Sequence, residues 1–582
     1  MRGQFNEQFI DSFEAMTKDA VRVQKQTLAR ILEENGDSEY LQNQGLAGRT
    51  DVQSFKTCVP LVTHKDLKSF INRIADGDSS PILTSKPIPR ISLSSGTTEG
   101  KPKYVPFNDQ LMHTTMEIYK TSQAYRNREF PLVTQKGLQF IYVGKQTTTK
   151  GGLIVATATT HVYSSDQFRN NIKSKFVCPE QVIFGSDFNQ SQYCHLLCGL
   201  LFSDEVEFVF STFAHSIVHA LRTLEQDWEE LCSDIRSGFL SNKITDSSMR
   251  SAVSKLLLRP NPDLAHSILT KFKNLNNGYG LIPELFPNAK YVYGIMTGSM
   301  EPYMKKLRHY AAHLPLVSAY YGASEGWIAA NVNPKLPPES ATFAVLPHIG
   351  YFEFIPLGID PVDEDDRELE VVAAAAAGEQ EPVGIEEVVV GKDYEILITN
   401  FAGLYRYRLG DVIRVAGFHN ATPELQFICR RSLLLNVNID KNTEKDLQTS
   451  VEIAGKLLAA EKLEIVDFTS CVDRSIEPGH YVVFWELSGK SREDVLDSCC
   501  SCMDLSFVDA GYKTSRKVNG IGPLELRVVR KGTFQKLMSH YVGLGAAVSQ
   551  FKTPRCIGAT NDVVLQILSD GVEETYFSTA FD

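Results

Sequence analysis

The chain has 582 residues, 43% of them apolar, and a formal net charge of −11 at pH 7. That length is too great for one hydrophobic core and, at ~100–200 residues per domain, predicts about two to four globular domains. The acidic balance without a basic run argues against a nucleic-acid partner, no apolar stretch reaches the ~20 residues that span a bilayer, and the N-terminus lacks the apolar centre of a signal peptide. Eleven cysteines scattered among apolar neighbours read as reduced thiols of a cytoplasmic protein.

In chain order, Phe13, Met16, Ala20, Leu28, Ile31 and Leu32 recur at helical spacing and predict one helix over 10–35, stopped at Gly36. Next comes Ser92-Leu93-Ser94-Ser95-Gly96-Thr97-Thr98-Glu99-Gly100-Lys101-Pro102-Lys103, read as a loop between two strands. Its hydroxyls, unhindered N–H groups and lysines suit polyphosphate. It is not a Walker A loop: the two glycines are one residue too close, and proline follows Lys101. Taken alone, it reads as an ordinary Ser/Gly turn. Asn108 is a good N-cap for a helix over 108–127 with Thr115 and Tyr119 on one face. A strand over 138–143 precedes Gly151-Gly152 and the run Ala156 to Thr160, which read as a close-approach loop with little side-chain bulk.

A helical pattern over 190–202 precedes a strand and helix within 206–231. His215 and His219 have zinc-ligand spacing, but Ser216 stands where a zinc hydrolase places glutamate, so they read as core or capping histidines. Cys194, Cys198, Cys499, Cys500 and Cys502 lie beside leucines and read as small buried hydrophobes. Strands are predicted over 290–296 and 316–318, the second running into Tyr320 to Trp327. The acidic, alanine-rich stretch 360–381 carries no assigned chemistry. Antiparallel strands follow over 394–399, 404–409 and 412–415. Beyond Arg430-Arg431-Ser432, the natural hinge, the pattern becomes that of a compact α+β unit, dividing the chain into a large domain, 1–430, and a small one, 431–582.

Three stretches gain meaning together. After the Ser/Thr/Gly loop, Tyr321-Gly322-Ala323-Ser324-Glu325-Gly326 sets an aromatic and a carboxylate around a tight turn at a strand end, where open α/β sheets bind ligands. Tyr405-Arg406-Tyr407-Arg408-Leu409-Gly410-Asp411 ends in a carboxylate suited to a ribose. An aromatic stacks on a purine and Glu325 suits Mg²⁺. Phosphate loop, aromatic–Gly–carboxylate turn and later Gly-Asp, in that order, are the parts of an adenylate-forming enzyme.

On these residues, and on 293–302, 438–443 and 550–555, the sequence resembles the plant Gretchen Hagen family of acyl acid–amido synthetases from about residue 10 to 580, most of all its jasmonate-conjugating branch. The resemblance implies an α/β, luciferase-like adenylate-forming fold: a large N-terminal domain of sheets with flanking helices, and a small mobile α+β C-terminal domain. It implies ATP and Mg²⁺ as cofactors, with an acyl acid and an amino acid as small-molecule partners of a monomer. Ser95, Gly96, Thr97, Thr98 and Thr115 would hold phosphates. Tyr321, Gly322, Ala323, Ser324, Glu325, Gly326 and Trp327 would line the nucleotide and magnesium site, Asp411 would bind ribose, and Lys552 would reach the phosphates or the acyl carboxylate. Glu325 and Lys552 would be catalytic. Ser95, Met112, Thr115, Tyr119 and Trp327 would border the acyl acid, and Ala156, Thr157, Ala158, Thr159, Lys536 and His540 the amino acid. The acid would be jasmonic, with indole-3-acetic acid as the alternative, and the amino acid isoleucine. No covalent enzyme intermediate is required. An acyl-CoA ligase shares the first step, a serine amidase would need no ATP, and a binding protein would have lost Glu325, Asp411 or Lys552.

Overall fold

The computed structural model describes residues 2–98, 101–144, 146–357, 380–430, 435–437, 440, 442–544, 551–558 and 561–581, with the side chains of 2–6, 95–98, 101 and 102 excepted. The stretch 358–379, Glu99, Gly100, Arg431, Ser432 and Gln550 therefore lie outside the described residues. The chain forms two compact units, Met1–Ser94 with Tyr104–Ile428, and Ser95–Lys103 with Cys429–Asp582.

Three sheets lie in the first unit, save the strand ends 95–98, 101–103 and 429–430, which belong to the second. Strands β1 (Arg90–Thr98) and β2 (Lys101–Phe107) stand beside β4 (Thr147–Thr148) and β5 (Ile154–Thr157) in the order β2-β1-β5-β4. A second sheet is parallel throughout, β3-β6-β7-β8, from β3 (Leu138–Gln139), β6 (Val209–Phe213), β7 (Val292–Ile295) and β8 (Leu316–Ser318). Its strands are buried and rich in Val, Leu and Phe, as strands covered on both faces must be. The third, seven-stranded sheet runs β12-β13-β14-β15-β11-β10-β9. Its strands are β9 (Tyr320–Ala323), β10 (Gly326–Ala330), β11 (Phe343–Val345), β12 (Tyr351–Pro356), β13 (Asp393–Thr399), β14 (Tyr407–His419) and β15 (Thr422–Arg430). Only Ala319 separates β8 from β9, so the C-terminal end of the parallel sheet delivers Tyr320.

The second unit carries the sheet β16-β17-β18-β19, of β16 (Ile465–Asp473), β17 (His480–Leu487), β18 (Glu525–Val529) and β19 (Val572–Phe577). Helices Glu444–Gly455 and Glu493–Ser506 pack on the core holding Phe468, Val483 and Trp485. Helices Thr533–Gly543 and Asp562–Ser569 pack on the other core, with Cys471, Val482 and Phe484. Alternation along β16 and β17 sends successive side chains to these two cores.

Three expectations are corrected. The N-terminal helix is two, Arg2–Lys18 and Ala20–Asn35. The Thr17 carbonyl accepts from the Ala421 N–H, and its hydroxyl donates to the Phe13 carbonyl, so the β14–β15 turn takes up the ladder at the break. Residues 92–103 are not an open loop, because β1 runs to Thr98 and β2 begins at Lys101. The strands expected over 404–409 and 412–415 are one, β14, carried through Gly410 at φ +74°. Gly36 ends its helix in a right-handed conformation (φ −56°).

Candidate active site

Main-chain register comes first. β1 and β5 are parallel, with Ser92 opposite Ala156 and Leu93 opposite Thr157. The small-residue run 156–160 therefore lies alongside the entry to the Ser/Thr/Gly stretch, with Thr157 paired to Leu93, 64 residues before it in sequence. The run is not a loop but a strand end and helix start. Thr157 caps the helix Ala158–Tyr163, accepting from Thr160 N, while Ala156, Ala158 and Thr159 are buried. Behind it His161 bonds the Ile91 carbonyl at 3.0 Å and stacks on Phe107, and burial pushes its pKa down to about 4. Ser95, Gly96, Thr97 and Thr98 continue β1, and their side chains lie outside the described residues.

Asn108 is the N-cap of helix Asp109–Glu129, accepting from Leu111 N, and its amide also donates to the Phe401 carbonyl at 2.8 Å. This fixes the helix over the β13–β14 connection. Met112, Thr115 and Tyr119 follow at i, i+3 and i+7 on one face. Thr115 is fully buried and donates its hydroxyl to the Leu111 carbonyl. The Tyr119 ring lies 4.7 Å from that of Tyr320 and 6.2 Å, edge-on, from Trp327.

The turn Ser324-Glu325 closes the hairpin of β9 and β10, with Gly326 opposite Ala323 and Trp327 opposite Gly322. Two glycines make this possible by lacking a Cβ. One on Gly322 would press on the Trp327 indole at 3.1 Å, and one on Gly326 would strike Ile398 at 2.7 Å. Glu325 is buried and accepts from the Tyr407 hydroxyl at 3.3 Å. Its main-chain carbonyl accepts from Asn400 at 2.6 Å. Asp411, also buried, accepts from the Tyr321 hydroxyl at 2.9 Å. The aromatic–Gly–carboxylate turn and the Gly-Asp stretch, separate in sequence, are thus joined by two tyrosine–carboxylate hydrogen bonds.

Sequence reasoning passed over Asn400. Fully buried, it holds the Glu325 carbonyl while its own carbonyl oxygen accepts from Ala402 N and Leu404 N. It also missed Arg126, whose guanidinium lies 3.8 Å over Tyr293 and donates to the Tyr291 hydroxyl. The signal available for Arg126 was its place seven residues beyond Tyr119 on the same helix face. Arg406 and Arg408 face carboxylates: Arg406 pairs with buried Glu353 at 3.1 Å, and Arg408 with Glu395 at 2.5 Å.

In the second unit, Lys536 and His540 lie one turn apart on helix Thr533–Gly543, the lysine exposed and the histidine half-buried. Lys552 is half-buried. His219 Nδ1 lies 3.0 Å from the Gln192 Nε2 and 3.1 Å from its Oε1, and the Cys499 and Cys500 thiols donate to the Ala454 and Leu524 carbonyls, as buried packing groups do. Among the described residues, no helix is long and apolar enough to cross a membrane.

Three family models match the chain: the GH3 family N-terminal domain over residues 9–316, the central domain over 343–430 and the C-terminal domain over 445–561. The chain is 63% identical over 583 residues to the jasmonoyl–L-amino acid synthetase JAR4 of Nicotiana attenuata, covering 99% of this chain and 98% of that one. It is 50% identical over 598 residues to the probable indole-3-acetic acid-amido synthetase GH3.12 of Oryza sativa subsp. japonica, covering 99% and 98%. Among solved structures, GH3.15 acyl acid amido synthetase superposes with a TM-score of 0.88 at 37% identity, covering 98% of this chain and 97% of that one.

Proposed function

Because the chain belongs to the GH3 family along nearly its whole length, we propose that it is an ATP-dependent acid–amido synthetase that joins jasmonic acid to an amino acid, isoleucine above others, through an acyl adenylate. The observation that carries this reading is the 63% identity to a jasmonoyl–amino acid synthetase against 50% to a probable indole-3-acetic acid one, at equal coverage.

A carboxylate resists nucleophiles because its charge shields the carbonyl carbon. Attack of its oxygen on the α-phosphorus of ATP forms the acyl adenylate and releases pyrophosphate. The amine of the amino acid then attacks the acyl carbon, AMP leaves, and an amide results. Two anions meet in the first step, so opposing positive potential is what the protein must supply.

Ser95 to Thr98 and Thr115 hold the phosphates in this reading, and the hairpin residues Tyr321 to Trp327 seat the nucleotide. Asp411, with one oxygen fixed by Tyr321, receives the ribose hydroxyls. Glu325 fits Mg²⁺ as a hard carboxylate donor on a turn held by Asn400 and Tyr407. A single carboxylate plus substrate phosphates is a usual Mg²⁺ donor set, and the ion would neutralise phosphate charge there. Met112, Tyr119 and Trp327 form an apolar wall for the acid, and small residues 156–159 leave room for an apolar amino acid. Lys552 serves adenylation, while Lys536 and His540 meet the amino acid. Residues 1–430 and 431–582 act as the two domains of a cytoplasmic monomer, the small one carrying Lys552 to the phosphates.

The test is competition. The protein is incubated with ATP, Mg²⁺ and isoleucine, with jasmonate and indole-3-acetate offered together, and conjugates are identified by mass. Jasmonoyl-isoleucine is expected to dominate. A dominant indole conjugate overturns the choice of acid, and a thioester with CoA in place of any amide overturns the amide reading.

A further inference from the structure

In the second unit, two buried carboxylates face each other across the sheet. Asp467 on β16 is the register partner of Glu486 on β17. The register shifts between Ile465 and Asp467, so the pairing follows an irregularity that re-aims the strand. Both residues are buried, at 8% and 5% exposure. Unpaired carboxylates at such a site would repel each other and lack hydration, and each has its own answer.

Asp467 takes the segment that leaves Lys552. It accepts from the Thr553 hydroxyl at 2.6 Å and from the Arg555 guanidinium at 2.7 Å, gripping the chain on both sides of Pro554. The neighbouring residues of β16 complete the grip. The Thr469 hydroxyl donates to the Pro554 carbonyl, Ser470 N and its hydroxyl donate to the Arg555 carbonyl, and Ile557 N donates to the Ser470 carbonyl. Arg555 also lies over the Phe468 ring at 4.1 Å. Lys552 therefore emerges from an anchor that begins at the next residue.

Glu486 takes the start of helix Thr533–Gly543. Its two oxygens accept from Gly532 N at 2.9 Å and Phe534 N at 3.0 Å. The partial positive charge of a helix N-terminus suits that carboxylate. The helix carries Lys536 one turn in and His540 one turn beyond.

We propose that Asp467 and Glu486 are paired positioning residues, Asp467 setting Lys552 for adenylate formation and Glu486 setting Lys536 and His540 for the amino acid. This rests on the roles given to those three residues under the proposed function. One register position thereby sets the placement of two separate chemical steps.

The experiment uses the full-length protein and assays the steps apart: pyrophosphate release from ATP and jasmonate, and amide formation from supplied jasmonoyl-adenylate and isoleucine. Asp467→Asn is expected to slow adenylate formation by about tenfold to a hundredfold, as displacement of a reacting group does, and to leave amide formation within about twofold of wild type. Glu486→Gln is expected to raise the KM for isoleucine in the second assay by about tenfold and to leave the first unchanged. Thr553→Val, which removes one hydroxyl from the anchor and keeps the arginine pair, should reproduce the Asp467→Asn split in smaller measure and carries the test where Asp467→Asn does not fold. Equal loss in both steps, or loss in neither, overturns the proposal. Lys552→Ala, run beside them, separates the layers. If it leaves adenylation intact, the role of Lys552 itself falls; if it slows adenylation while the folded anchor variants do not, only the positioning inference falls.

Discussion

Glu325 and Asn400 meet at one turn through different atoms, which makes their substitutions diagnostic. Glu325→Ala removes the carboxylate and leaves the main-chain carbonyl that Asn400 holds. The protein should fold normally, and ATP–pyrophosphate exchange should fall by about two orders of magnitude or more, as loss of charge stabilisation does. Near-normal exchange in the folded variant would remove Glu325 from the mechanism. Asn400→Ala instead strands the N–H groups of Ala402 and Leu404 in a dry interior. It should lower stability by about 2–4 kcal/mol, read by urea unfolding. The place of Glu325 at a tight turn was legible in the sequence because turn residues are local. Asn400 was not: its partner Glu325 lies 75 residues away, and no spacing rule marks a side chain whose work is done across that distance.

At the level of elements, the approach of Gly151 to Gly77 matters most. Gly77 ends helix His64–Asp76 at φ +100°, and Gly151 N donates to the Ala75 carbonyl at 2.9 Å. A Cβ on Gly151 would overlap the Gly77 backbone, which has no side chain to move aside. Gly151→Ala should therefore cost about 1–3 kcal/mol in thermal unfolding, and it should weaken catalysis besides, because β5 sets the register of β1. Of the pair Gly151-Gly152, read as a close approach, Gly151 makes one, whereas nothing lies within 4 Å of a Cβ on Gly152, and the opposing surface was invisible. The tight turn at Ser324-Glu325, the N-cap at Asn108 and the antiparallel β13 were legible from turn residues, capping chemistry and alternation. The helix break near Asp19 was not, because a strand turn some four hundred residues later imposes it: Asn420 also donates to Glu14, 406 residues away. The merging of two expected strands into β14 had a similar cause, since Gly410 reads locally as a turn.

For the molecule as a whole, acid should be more damaging than the charge balance suggests. His161 and His195 are buried, and burial holds the pKa of each down to about 4 against an ordinary 6.5. Between these values the unfolded chain binds protons that the folded chain refuses, so stability rises with pH across that window and is lost as pH falls from about 6.5 towards 4. Each histidine contributes up to about 3 kcal/mol to that loss. Urea midpoints measured from pH 7 to 4.5 should fall steadily, and His161→Gln, which keeps a donor for the Ile91 carbonyl, should flatten the slope. A slope unchanged by that substitution would mean that His161 titrates normally.

The N-terminal helices have a consequence for how the protein is made. Gln24 donates to the carbonyls of Pro347 and Gly350 and accepts from Phe352 N, and Glu14 bonds His419 and Asn420. These partners are synthesised 323 to 406 residues later. At about 5–20 residues per second, a ribosome needs roughly 20–80 s to supply them. Tyr125, against which Phe13 packs edge-on, is made early, but the His419 ring on which Phe13 stacks is not, so part of this apolar surface must be shielded by other means in that interval. Expression yield should accordingly depend on chaperone supply, and on translation rate through the middle third of the message, more than on the stability of the finished enzyme.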